Sequence, residues 1–94
     1  MMPAGPAANV AALLHRTART WPGAHALAHG EGAGVCYSTL ARRVARLASS
    51  LLRAGLAPGE RVALVSRNVP GYIETLFACW WAGLVAVPVN ARLH

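Results

Sequence analysis

The stretch from residue 61 to residue 89 restricts the fold more than any other. Residues 61–66, Arg61-Val62-Ala63-Leu64-Val65-Ser66, hold an apolar run without alternation. That is the pattern of a strand buried on both faces. Asn68 and Pro70 mark a helix start. Ile73, Leu76, Phe77, Trp80 and Leu84 then keep the helical interval. Gly83 closes the helix, and residues 84–89 read as a second buried strand. Strand, helix and strand within about thirty residues make a βαβ unit, parallel and right-handed by default. A parallel sheet needs cover on both faces and neighbours at its edges. Few other strands are in view, and the second run ends close to the last residue, His94. The expectation is an α/β chain that is part of a larger sheet, truncated, and completed by more of the same protein or by a partner.

Upstream, residues 1–8 read as a flexible Pro/Gly/Ala lead-in. Asn9 is a candidate N-cap. Val10, Leu13, Leu14, Ala18 and Trp21 follow at helical spacing, with His15, Arg16 and Arg19 off the stripe. Pro22-Gly23 stops that helix. Short runs at 25–29 and 35–37, joined by a Gly-rich segment, predict a β-hairpin. Ser38 is the expected N-cap of a second helix, whose apolar stripe is Leu40, Val44, Leu47, Ala48, Leu51 and Leu52. Gly55 suits the left-handed position after its last turn, and Ala57-Pro58-Gly59-Glu60 reads as a turn. No internal repeat is evident.

Composition narrows the chemistry. The 94 residues allow one small domain or a piece of a larger one. Hydrophobic residues make up 55% and charged residues 13%, the reverse of a disordered tail. All nine basic residues are Arg, and the three acids are Glu31, Glu60 and Glu74. Without lysine, Schiff-base chemistry and a phosphate-binding lysine are excluded, and the three Glu are too scattered for paired-carboxylate catalysis. Cys36 and Cys79 make no disulfide framework. As buried free thiols they favour a reducing, cytoplasmic setting. No Arg precedes Arg16, so a secretory n-region is missing. Arg16 and Arg19 give a faint transit-peptide look, which the helical pattern outweighs. The apolar run 75–89 is shorter than the roughly 20 residues a membrane span needs, and Gly83 and Pro88 interrupt it. No membrane span is expected.

Each candidate site has a plainer explanation beside it. Gly30, Gly32 and Gly34 spell G-x-G-x-G, but a dinucleotide fingerprint needs a helix at the third glycine, and a strand-like run follows here. A hairpin turn accounts for them better. His25 and His29 share one side of a strand, yet no third metal ligand is in view. Cys36 has no neighbouring charge to mark a nucleophile. Arg42, Arg43, Arg46 and Arg53 make a basic helix face that could neutralise phosphates. An ordinary solvated face in an Arg-biased protein explains it too, and the interleaved aromatics of single-strand binders are missing. Trp80 fits the apolar stripe, so Trp81 is expected on a flank facing a neighbouring body. Ser66, Asn68 and Asn90 lie at the ends of the expected strands, where open α/β sheets gather ligands; capping roles explain them equally well.

Taken in order, these pieces look familiar. Asn9-Val10-Ala11-Ala12-Leu13-Leu14, the Trp21-Pro22 helix end, Tyr37-Ser38-Thr39-Leu40, Leu52-Arg53-Ala54-Gly55-Leu56, Pro58-Gly59-Glu60-Arg61-Val62-Ala63, Asn68-Val69-Pro70-Gly71-Tyr72 and Ala82-Gly83-Leu84-Val85-Ala86-Val87-Pro88-Val89-Asn90 stand in this sequence and spacing. Together they resemble the N-terminal part of the AMP-forming adenylating enzymes, the acyl-CoA synthetase superfamily. The resemblance covers residues 9–94. Thr39, Glu60 and Gly71 depart from the family's usual Glu, Asp and Glu.

The resemblance implies an incomplete N-terminal part of an AMP-binding large domain. It implies a two-step reaction: a fatty or aromatic acid and ATP, with magnesium, give an acyl-adenylate, which CoA converts to a thioester. The family's Ser/Thr/Gly-rich phosphate loop, acidic ribose motif and mobile lysine are not in this chain. No catalytic, cofactor-binding or metal residue is therefore assigned, and no cofactor is expected on this piece alone. Its expected role is scaffold, inactive by itself, with the remainder of the parent enzyme as partner and no nucleic acid. The alternative is a small interaction module that uses its basic helix face on a partner, nucleic acid or an anionic surface.

Overall fold

In a computed structural model the elements run α1 (Ala8–Thr20), β1 (His25–Leu27), β2 (Val35–Cys36), α2 (Tyr37–Arg53), β3 (Arg61–Leu64), α3 (Val69–Ala82) and β4 (Val85–Pro88). The structure describes residues 8–27, 34–65 and 69–89. Residues 1–7 of the expected 1–8 lead-in, with His29, Gly30, Glu31, Gly32, Ser66, Asn68 and Asn90, lie outside them, and Ala8 is the first residue of α1. The expected hairpin is present: β1 and β2 pair antiparallel, His25 opposite Cys36, with an irregularity between His25 and Leu27. The expected βαβ unit is present too, β3 and β4 pairing in parallel from Arg61–Val85 to Leu64–Pro88.

Two helix ends show how local chemistry sets the chain path. After α2, Gly55 takes φ +105°, Gly55 N–H donates to Leu52 O, and Leu56 N–H donates to Leu51 O. After α3, Gly83 takes φ +80°, with Gly83 N–H on Trp80 O and Leu84 N–H on Cys79 O at 2.8 Å. Both are Schellman endings, which satisfy the last carbonyls and need a left-handed residue that glycine adopts at least cost. The second turns the chain straight into β4. There Val85 N–H donates to Glu60 O and Val89 N–H to Leu64 O, locking the parallel pair. The N-terminus of α2 differs from expectation. Cys36, not Ser38, is the N-cap, and its side chain makes no capping bond. The hairpin occupies the entry instead, with Tyr37 N–H on Ala24 O and Ser38 N–H on Pro22 O, both 3.0 Å.

The core joins Ala11 and Leu14 of α1, Leu40, Val44 and Ala48 of α2, Leu64 of β3, and Ala78, Cys79, Trp81 and Ala82 of α3, with Leu84. On two helices the buried face is rotated from the apolar stripe. In α1, Ala11, Leu14 and Ala18 are buried while Val10 and Leu13, with Trp21 just past the helix end, are exposed. In α3, Trp81 is buried at 1% exposure and Trp80 is only half-buried, the reverse of the sequence expectation. The reason is that α3 is apolar nearly all round, so its period names no single inner face. Small Ala78 and Ala82 are fully buried on α3, which packs against both α2 and α1. Trp81 then fills the remaining space against α1, its ring edge-on to His15 at 5.6 Å. Trp80 stacks edge-to-face on Phe77 at 5.3 Å. On the other flank Arg43 Nη1 pairs with Glu74 Oε1 at 3.0 Å. Arg43 is largely solvated, so this tie contributes about 1 kcal/mol at most.

Candidate functional site

Among the described residues the β3–β4 sheet is covered on one side only. Val62, Leu64 and Ala86 face the core, with α3 across them. Arg61, Ala63, Val85 and Val87 alternate to the other face. Val85 remains 42% and Val87 39% exposed, and Val65 and Val89 just past the strands 62% and 41%. The expected burial on both faces is therefore not met: no described element lies over the second face. Both edges of the pair are open among the described residues as well. An exposed apolar cluster of this kind on a parallel sheet marks a contact surface.

At the carboxyl end of β3 a crevice of about 240 Å³ is lined by Val62, Ala63, Leu64, Val65, Tyr72 and Thr75. This is where an open α/β sheet would gather a ligand. Thr75 already donates its hydroxyl to Gly71 O at 2.8 Å, so it offers an acceptor rather than a donor. Ser66, Asn68 and Asn90, the residues the sequence placed near this end, are among those outside the description. A second hollow, about 230 Å³, lies between α1, α2 and α3 against Leu13, Thr17, Tyr37 and Phe77.

The remaining candidates separate in space. His25 is exposed on β1. Val35 opens a strand directly after Gly34, which removes the helix a dinucleotide fingerprint requires. Among the described residues no three His, Cys, Asp or Glu stand close enough to share an ion. None of the described helices is long and apolar enough to cross a membrane. Arg42, Arg46 and Arg53 share the outward face of α2, while Arg43 turns to α3.

Cys36 is the residue sequence reasoning undervalued. Its Sγ lies 3.3 Å from both Ser38 Oγ and Thr39 Oγ1. Hydroxyl donation from Ser38 and then Thr39 to the thiolate lowers its pKa to about 7. The signal was legible as Cys-x-Ser-Thr at a helix entry, since hydroxyls two and three residues on return to a capping position. Burial pushes the Cys79 thiol up. Iodoacetamide should therefore alkylate Cys36 with a midpoint near pH 7 and leave Cys79 untouched in the folded chain. Ser38→Ala with Thr39→Val should move that midpoint toward the ordinary thiol value of about 8.5. Because the folded pKa is depressed, the associated stability is present above the unfolded pKa and is lost as pH falls through about 7.

Comparison with known proteins sets this geometry in context. The model of the family described as AMP-binding enzyme matches residues 14–94. Feruloyl-CoA synthases of Amycolatopsis sp and Streptomyces sp are each 55% identical over 78 residues, 83% of this chain and 16% of theirs. The fatty acid–[acyl-carrier-protein] ligase ScoC of Streptomyces coeruleorubidus is 48% identical over 63 residues, 67% of this chain and 12% of that protein. Among solved structures, the inhibitor-bound N-terminal domain of FACL13 from Mycobacterium tuberculosis superposes with a TM-score of 0.82 at 28% identity, covering 89% of this chain and 21% of that one. The chain thus spans less than a quarter of the length of each of these proteins.

Proposed function

Because the chain belongs to the AMP-binding enzyme family, we propose that it is the N-terminal scaffold, residues 9–94, of an acid–CoA ligase. The whole enzyme would join a carboxylic acid to ATP, releasing pyrophosphate and leaving an acyl-adenylate. CoA would then displace AMP to give the thioester. The 55% identity to feruloyl-CoA synthases supports an aromatic acid, and the 48% identity to a fatty-acid ligase keeps a fatty acid as the second choice. The setting proposed is cytoplasmic, in keeping with two free thiols.

The residues present do not fit ATP and magnesium. The sequence holds no lysine and no aspartate, and the described Glu60 and Glu74 stand on different elements, Glu74 already paired with Arg43. The chain is accordingly assigned no step of the reaction, and no AMP-forming activity by itself. What it supplies is a parallel strand pair, backed by α3 and buttressed by α1 and α2. The observation that carries this reading is the bare sheet face at Val85 and Val87, an apolar surface of the kind that further protein covers.

The test is a chimera. The matched 78 residues of the Amycolatopsis feruloyl-CoA synthase are replaced by the corresponding residues of this chain. Retained feruloyl-CoA formation is the expected result; a soluble, folded chimera without it overturns the scaffold reading. Separately, the purified chain with ATP, magnesium, CoA and ferulate or a fatty acid should release no AMP above a blank.

A further inference from the structure

The outward face of α2 takes no part in the β3–β4 surface on which the scaffold reading rests. Arg42, Arg46 and Arg53 are all exposed there, on the side opposite the buried Leu40, Val44 and Ala48. At 100° per residue the three arginines fall within about 40° of one another around the helix. They rise about 6 Å and then about 10 Å along it. Small Ala45, Ser49 and Ser50 lie between them and floor a shallow trough of about 560 Å³. No acid stands on α1 or α2. Glu74, the carboxylate that does reach α2, is held by Arg43. Among the described residues the three guanidinium groups have no carboxylate partner, in a chain of net charge +6.

We propose that this strip docks an acidic α-helix of a partner protein, its carboxylates pairing with Arg42, Arg46 and Arg53. Charge complementarity requires an anionic occupant, and shape selects among anions. A facing helix has the same 1.5 Å rise, so Glu side chains at i, i+4 and i+11 meet all three arginines in register. Each guanidinium can hold a carboxylate through two parallel N–H···O bonds. The small residues between them let a second helix approach closely. A bilayer is disfavoured because the leucines of α2 that would insert, Leu47, Leu51 and Leu52, are packed against the core instead. Single-stranded nucleic acid is disfavoured because the face carries no aromatic on which a base could stack, and a duplex is an outcome of the test below.

The probe is a fluorescent helical peptide of about 20 residues with Glu at i, i+4 and i+11 on one face, titrated with the full chain. Two comparison variants remove equal charge: R42A/R46A/R53A on α2, and R16A/R19A/R61A elsewhere. All six positions are exposed or partly exposed, and circular dichroism verifies that helix content is kept. Expected is a loss of about ten-fold or more in affinity for the α2 variant and less than about two-fold for the other, with binding falling as salt rises. Equal losses in the two variants, or equal binding of a peptide with the same Glu spread around the helix, overturn the proposal. So does displacement of the peptide by anionic vesicles or duplex DNA at lower concentration than free peptide requires. None of these readouts depends on ligase activity, so the strip can fail while the scaffold stands.

Discussion

Trp81→Ala is expected to cost about 3–5 kcal/mol, the range for emptying a fully buried large aromatic site. Trp80→Ala should cost only about 1–2 kcal/mol, from half-burial and one edge-to-face contact with Phe77. A chain of this length has on the order of 5–14 kcal/mol of stability in total, so the first substitution removes a large share and the second does not. The asymmetry follows from the packing of α3. Trp81 is 1% exposed and closes the junction of α1 and α3 against His15. The alanines of the same core, Ala11, Ala48, Ala78 and Ala82, are too small to fill the space a lost indole would leave. Urea unfolding followed by circular dichroism checks this. A lower midpoint for Trp80→Ala than for Trp81→Ala would show that the inner face of α3 has been assigned to the wrong side.

Val85→Lys with Val87→Lys should change sign of consequence with context. In the chain itself both side chains point to the open face, so stability should move by no more than about 0.5 kcal/mol per site. Binding of a hydrophobic dye and concentration-dependent association should fall, because the apolar cluster is broken by two charges. In the chimera with the feruloyl-CoA synthase the same pair would place two ammonium groups under whatever covers the face. An unpaired buried charge costs several kcal/mol, and two should leave little soluble, active chimera. Unchanged yield and turnover of that chimera would mean that the face is solvated in the whole enzyme, and the scaffold role would lose its main support.

The order of elements was readable because it is written in local chemistry. Gly55 and Gly83 mark helix ends that demand a left-handed residue, and both adopt positive φ. Pro58-Gly59 makes the turn into β3, where Gly59 takes φ +90° and Glu60 N–H donates to Ala57 O. The Gly-rich joint predicts a hairpin, and β1 and β2 form one. The site was less readable. Cys36 gains its acidity only when the helix entry folds two hydroxyls back onto the sulfur. The separation of Arg43 from Arg42, Arg46 and Arg53 needed the position of Glu74, thirty-one residues away in sequence.

The division between the two sources is physical. Residue type and spacing alone determined that this is a hairpin, helices and a parallel βαβ unit with the block order of the AMP-binding enzymes, since turns, caps and periods act within a few residues of themselves. Packing alone decided which of two adjacent tryptophans is core, which arginine joins an ion pair, and that no described element covers one face of the β3–β4 pair. Those outcomes depend on how helices with more than one apolar side meet, and a helix that is greasy all round carries no mark of which side its neighbours will choose.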